Sequence, residues 1–216
     1  MKLKRIIIIV MGLAVLLLAV VALLPDSQPS YQGRTLTAWV EEMCKNPPGT
    51  PPWLTASNAI HSIGTNAVPT VLRWETYKES KTRESFISKW NAHAYYEWRI
   101  RTQEERKTMV WFAFGALGEN SSPAWPVFVQ WTRDTNTDSR RRGITLLRGC
   151  RADKSVFVPI AEQLLKDPDS EIQVLTALYF RDLYPQEAET SGVYQKFPNL
   201  KPTPAVTANT NQPTAK

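Results

Sequence analysis

AIHSIGTNAVPTVL (59–72), FGALGENSSPAWPVFV (114–129) and LLRGCRADKSVFVPIAEQLL (146–165) share one pattern. An apolar stretch with helical spacing ends at a small residue, a few polar residues follow, and a proline lies near the start of the next apolar stretch. Recurrence of such a unit predicts stacked helical hairpins, each burying its apolar face only against its neighbours. Arrays of this kind present surfaces rather than enclosed catalytic pockets.

Working outward, residues 35–45 place Leu36, Trp39, Val40 and Met43 at helical spacings of three and four, which predicts a helix. NPPGTPP (46–52) reads as a rigid turn, and 54–63 as a second helix closing on Gly64. Pro69 suits the first turn of the next helix, over 66–78. Residues 79–105 form a charged, aromatic-bearing insertion, and 106–117 a helix that closes on Gly118. Further helices are predicted over 124–133, over 139–149 with Asp138 as cap, over 155–166 and over 170–184. Asp167-Pro168-Asp169 is a tight turn with a ready N-cap. No alternation is long enough for a sheet. From about 185 the pattern fades, and 185–216 reads as a mostly disordered tail, with VYQKFPNL (193–200) able to dock on the last repeat.

Residues 6–24, IIIIVMGLAVLLLAVVALL, carry no charge and follow Lys2, Lys4 and Arg5. As a helix this run would reach roughly 28 Å, close to the hydrocarbon thickness of a bilayer. Two readings fit: an uncleaved signal-anchor within 1–25, or a signal peptide cut after Ala22. Both export the remainder, because the basic flank stays in the cytoplasm. The expected arrangement is a membrane crossed once, with the repeats in a periplasm or an extracellular space; the alternative is secretion after cleavage. Residues 26–34 are a linker, and 35–184 the repeat domain.

The net charge is +6, and three of those charges belong to the basic flank of the apolar run. The body is therefore only mildly basic, which argues against nucleic acid as a partner. An oxidising compartment permits a disulfide between Cys44 and Cys150, but a linear array would set them in different repeats. Two buried thiols is the simpler expectation.

LLKDPDSEIQVLTALYF (164–180) resembles a HEAT repeat: a short D-P-D turn, then a helix opening with a β-branched and a basic residue. Ile172 fills the first place and Gln173 replaces the usual Arg of the inter-repeat polar ladder. DSRRRGITLL (138–147) keeps Arg142 at the comparable place. AIHSIGTNAVP (59–69) and ALGENSSPAWP (116–126) are similar to repeat junctions in HEAT-like proteins of the phycobilisome-lyase type. With YQGRTLTAWV (31–40) behind the apolar run, the chain resembles small membrane-anchored bacterial HEAT-repeat proteins over roughly 31–184. That resemblance implies an all-α fold, a short α-solenoid of about four hairpins. Lyases of that group attach bilins, and no residue here matches a catalytic residue of theirs.

No metal, cofactor or catalytic constellation is expected. His61 and His93 lack neighbouring ligands at metal spacing, and no nucleophile elbow, P-loop or H-E-x-x-H occurs. The function expected is a non-enzymatic scaffold binding an unidentified protein partner, with the membrane contacted through 6–24. Aromatic and arginine side chains dominate binding hot spots, so the candidate surface is Trp74, Tyr77, Trp90, Tyr95, Tyr96, Trp98, Arg99 and Arg101. A cell-wall or polysaccharide binder using rings of 79–105 is the alternative. The Arg140-Arg141-Arg142 run reads as a solvated face.

Overall fold

The computed structural model describes residues 28–95 and 99–201. The apolar run 6–24 and the segment 202–216 lie outside the described residues. Within them the protein is predominantly α-helical, and no helix is long and apolar enough to cross a membrane.

A small antiparallel hairpin opens the fold, β1 (Ser30–Tyr31) pairing with β2 (Arg34–Thr35). Part of the expected linker is thus ordered. The Trp39 indole donates to Tyr31 O at 3.1 Å, and the Arg34 guanidinium lies 4.0 Å from the centre of the Trp39 ring, closing that end of the core.

Helix α1 (Leu36–Lys45) starts where Thr35 accepts a hydrogen bond from Ala38 N–H. Its predicted stripe of Leu36, Trp39, Val40 and Met43 is buried. Helix α2 spans Pro51–Ile63. Pro51 and Pro52 belong to this helix rather than to the preceding turn, because first-turn N–H groups have no intrahelical acceptor to lose. Helix α3 (Val68–Thr76) follows after a 3₁₀ turn at Gly64–Ala67. The insertion is partly helical: Ser80 caps α4 (Lys81–His93). Helix α5 (Gln103–Leu117) begins three residues earlier than expected, because Thr102 and Glu105 form a reciprocal capping box.

A second 3₁₀ turn, Gly118–Ala124, leads to α6 (Trp125–Thr132). Helix α7 (Thr137–Gly149) is capped by Asn136, whose side chain accepts from Asp138 and Ser139 N–H; Asp138 is inside the helix. Helices α8 (Lys154–Leu164) and α9 (Ser170–Leu183) are capped by Asp153 and Asp169. Order continues beyond 184 through α10 (Pro185–Thr190), where the sequence pattern had faded, and through α11 (Val193–Lys196), inside the segment expected to dock on the last repeat. Ala188 and Val193 are buried there, the Tyr184 hydroxyl donates to Ala152 O at 2.6 Å, and Lys196 Nζ donates to Leu165 O at 2.6 Å. These side chains supply the burial and hydrogen bonding that a polar composition did not reveal.

The packing pairs α1 with α2, α3 with α5, α6 with α7, and α8 with α9. The second members then touch in chain order, α2 to α5, α5 to α7 and α7 to α9. The core runs continuously through these contacts. Phe114 and Phe128, both fully buried, meet edge-to-face at 4.9 Å between centroids, joining α5 to α6. Such a pair adds about 1 kcal/mol beyond its burial.

Two of the three junctions share a backbone device. Gly64 and Gly118 have φ of 66° and 56° with ψ of −149° and −127°. Glycine alone enters that neighbourhood readily, so the two junctions read alike for a steric reason. Their 3₁₀ turns pack against one another, and Asn120 Nδ2 donates to His61 O at 3.2 Å. At the third junction the left-handed place falls to Arg151, φ 51°.

Candidate functional site

Among the described residues, those singled out in the sequence fall in different settings, some packed into the fold and some exposed. Trp74 is half-buried on α3 and packs against the core. Tyr77 is half-buried too; the guanidiniums of Arg106 and Arg83 lie 4.8 and 5.7 Å from its ring centre. Beside them the Glu79 carboxylate, only 2% exposed, has Arg106 at 3.6 Å and Arg83 at 3.9 Å. This cluster joins the end of α3 to the starts of α4 and α5, so Trp74 and Tyr77 have structural work. Tyr96 and Trp98 lie outside the described residues.

Trp90 and Tyr95 are exposed, Tyr95 at 86%. Phe86 is exposed as well and stacks on Trp90, with planes 26° apart and centroids 6.1 Å apart. One residue of α4, Ile87, is buried; Phe86, Lys89 and His93, at spacings of three and four, are exposed on the other side. A two-way bond fastens the following loop, Asn91 Nδ2 to Ile100 O at 2.7 Å and Ile100 N to Asn91 Oδ1 at 2.9 Å. Arg101 then pairs with Glu41 on α1. Arg99 is exposed.

Arg99 and Arg101 line a groove of about 780 Å³ between α1 and α5, with Glu41, Cys44, Lys45 and Glu105. Burial and the nearby Arg106 pull the Arg101 guanidinium below its ordinary value, against Glu105. Cys44 is exposed at the edge of the groove and Cys150 is buried; both are free thiols. Partial enclosure by the groove wall pushes the Cys44 thiol up. No His stands in the groove to activate it. Among the described residues no three His, Cys, Asp or Glu side chains converge to hold a metal ion. The arrangement sets cationic and anionic side chains side by side.

A second surface follows the row α5–α7–α9. A shallow depression of about 500 Å³ is lined by Trp111, Arg148, Gly149, Arg151, Asp182 and Leu183. Trp111 is exposed there, Val174 is exposed further along α9, and the Arg148 guanidinium sits 5.0 Å from the Tyr179 ring centre and 3.4 Å from Asp182. Sequence reasoning passed over Trp111 because it stands in an apolar run; only the packing of Gly149 against its indole shows which side faces out.

The basic run 140–142 is not a solvated face. Arg140 Nε and an Nη donate to the two oxygens of Asp167 at 2.8 and 2.9 Å, and its other Nη donates to Asp134 O and Thr135 O. Arg141 pairs with Glu171, and Arg142 with Glu75. Arg140, not Arg142, stands at the place of Gln173: each lies four residues after its N-cap, and Gln173 Nε2 donates to Asp167 O as Arg140 does to Asp134 O. Burial raises the Asp167 carboxyl, but the Arg140 hydrogen bonds and Asp169 N–H outweigh it and hold it below the usual range.

No family model, no curated protein and no solved structure matches this chain.

Proposed function

We propose that the protein is a membrane-tethered, non-enzymatic scaffold: a short α-solenoid of about four HEAT-like hairpins that offers the row α2–α5–α7–α9 to a protein partner in the bacterial envelope. The observation that supports this reading is the chain-order contact of those four helices, which makes one continuous face from successive hairpins. Exposed Trp111 and Val174, with Arg148 on Tyr179, put aromatic, apolar and cationic side chains on it. The Arg140–Asp167 tie is a polar contact between neighbouring hairpins of the kind the HEAT resemblance implies. The tether is residues 6–24.

The test places a photo-crosslinking amino acid at Trp111, at Val174, and at Glu162 on α8 of the full chain in cells. One defined protein should be caught from Trp111 and Val174 and not from Glu162. If neither of the first two positions catches protein, the reading fails. The glycan alternative draws on the exposed rings of Trp90 and Tyr95. Soluble cell-wall sugars that quench Trp fluorescence in wild type and not in Trp90→Phe would favour it.

A further inference from the structure

Helix α4 is placed differently from the helices of the row. It buries Ile87 alone and leaves a stacked Phe86–Trp90 pair exposed, with Tyr95 just beyond its end. Lys81 and Lys89 are exposed on α4 and Lys78 just before it, against one exposed carboxylate within the helix, Glu84. Aromatic rings among cations suit the headgroup level of a membrane, where the ring sits at the apolar boundary and the cation meets lipid phosphate.

The tether sets the distance. Three residues, Pro25 to Ser27, separate the apolar run from Gln28, whose side chain already accepts from Thr37 on α1. Fully extended, that connection spans roughly 14 Å, so the start of α1 stays within about 14 Å of the hydrocarbon boundary, close above the headgroups, if 6–24 cross the bilayer. Helix α4 is fastened to α1 by two successive contacts, Asn91 to Ile100 and Arg101 to Glu41. The exposed rings are therefore carried on the element tied to the one nearest the membrane.

We propose that the exposed face of α4, Phe86, Lys89 and Trp90 with Tyr95, lies on an anionic lipid surface and orients the repeat domain there. This rests on the tether reading. A few basic residues and rings bind lipid weakly alone, but a tethered domain meets the surface at high effective concentration. Once α4 is held down, the row α5–α7–α9 keeps a fixed attitude to the bilayer.

The test uses the full chain reconstituted in phosphatidylcholine vesicles with and without three parts in ten phosphatidylglycerol, part of the phosphatidylcholine carrying bromine high on its acyl chains. Residues 6–24 contain no Trp, so quenching reports the domain. Expected is quenching that grows with the anionic lipid, drops by at least half in Trp90→Phe, and loses its dependence on lipid charge in Lys81→Glu/Lys89→Glu. The three side chains are exposed, so unchanged circular dichroism and melting are expected and serve as the folding control. Quenching that is the same in both lipids, or unaltered by Trp90→Phe, overturns the proposal. So does quenching that appears only with added envelope protein or that soluble glycan abolishes, since either gives the face to another occupant. Alkaline carbonate extraction of the same vesicles separates the two layers of the argument. Release of the chain refutes the tether reading, and the proposal with it; retention without quenching refutes the α4 proposal alone.

Discussion

Arg142 grips Glu75 with two hydrogen bonds, Nε to Oε1 at 2.6 Å and an Nη to Oε2 at 2.7 Å. The same guanidinium reaches Lys107 O at 3.1 Å, so one side chain of α7 ties together α3 and α5. The Glu75 side chain is 6% exposed and that of Arg142 23%. Removing one partner of a buried pair strands the other charge. Because Arg142 retains some solvent and its carbonyl bond, Glu75→Gln should cost about 2 kcal/mol, toward the low side for such pairs. Urea unfolding of Glu75→Gln, Arg142→Met and the double variant measures the coupling. A double variant as unstable as the sum of the singles would refute the pair's role.

The pH dependence follows from Asp167. Its native pKa is depressed below the ordinary value of about 3.9, so protons bind the unfolded chain more readily. The stabilisation from its charge is complete above that ordinary value and is lost as pH falls through the native pKa. Asp167→Asn lacks this contribution at every pH. The gap in urea midpoint between wild type and Asp167→Asn should therefore be widest near about pH 6 and narrow below about pH 4. A gap that stays constant down to acid would show that the charge of Asp167 contributes nothing.

Gly143 stands where α7 crosses α6. A Cβ there would lie 2.7 Å from Phe128 O and 2.8 Å from Thr132 N, both backbone atoms that cannot swing aside. Alanine in a helix interior ordinarily gains about 1 kcal/mol over glycine. Here overpacking reverses the sign, and Gly143→Ala should lose about 2 kcal/mol, lowering Tm by about 5 °C. Gly115→Ala is the control: its Cβ would make an ordinary 3.7 Å contact with Gly149 O, so its Tm should not fall. Equal melting of the two variants would contradict this account of the crossing.

These residues mark what could be read in the sequence. The junctions at Gly64 and Gly118 were legible because glycine closing a helix and proline opening the next are local, steric signals. Helices α1 and α8 were legible because their buried faces repeat at helical spacing, and α9 because Asp169 marks its start, although the face it buries is that of Thr176, Ala177 and Phe180. The capping box at Thr102 and Glu105 was also local, but the charged run around it masked the start of α5. Arg140, Arg141 and Arg142 read as one basic run, yet their acceptors Asp167, Glu171 and Glu75 come from other hairpins. Nothing local separates a paired arginine from a solvated one. The candidate surface divides for the same reason: Trp74 and Tyr77 differ from Trp90 and Tyr95 only in what the fold packs against them.

Arg151 supplies the last prediction. It takes the left-handed place in the turn that ends α7, where Ala152 N–H returns to Leu147 O at 2.9 Å and Arg151 N–H to Arg148 O at 3.1 Å. That is the hydrogen-bond pattern in which helices usually place glycine. A side chain in this conformation costs about 1–2 kcal/mol, whereas glycine enters it freely. Glycine also loosens the unfolded chain, which returns about 0.4–1 kcal/mol of the gain. Arg151→Gly should therefore stabilise the protein by about 0.5 kcal/mol, raising Tm by one or two degrees. Arg151→Ala removes the same charge and side chain but keeps the Cβ in the left-handed region, so it should show no gain. Matching Tm values for the two variants would trace the effect to the lost guanidinium and refute the backbone explanation. A rise in Arg151→Gly alone would show that this junction, the one of the three whose left-handed residue is not glycine, is held against its backbone preference by the packing of α7 and α8 on either side.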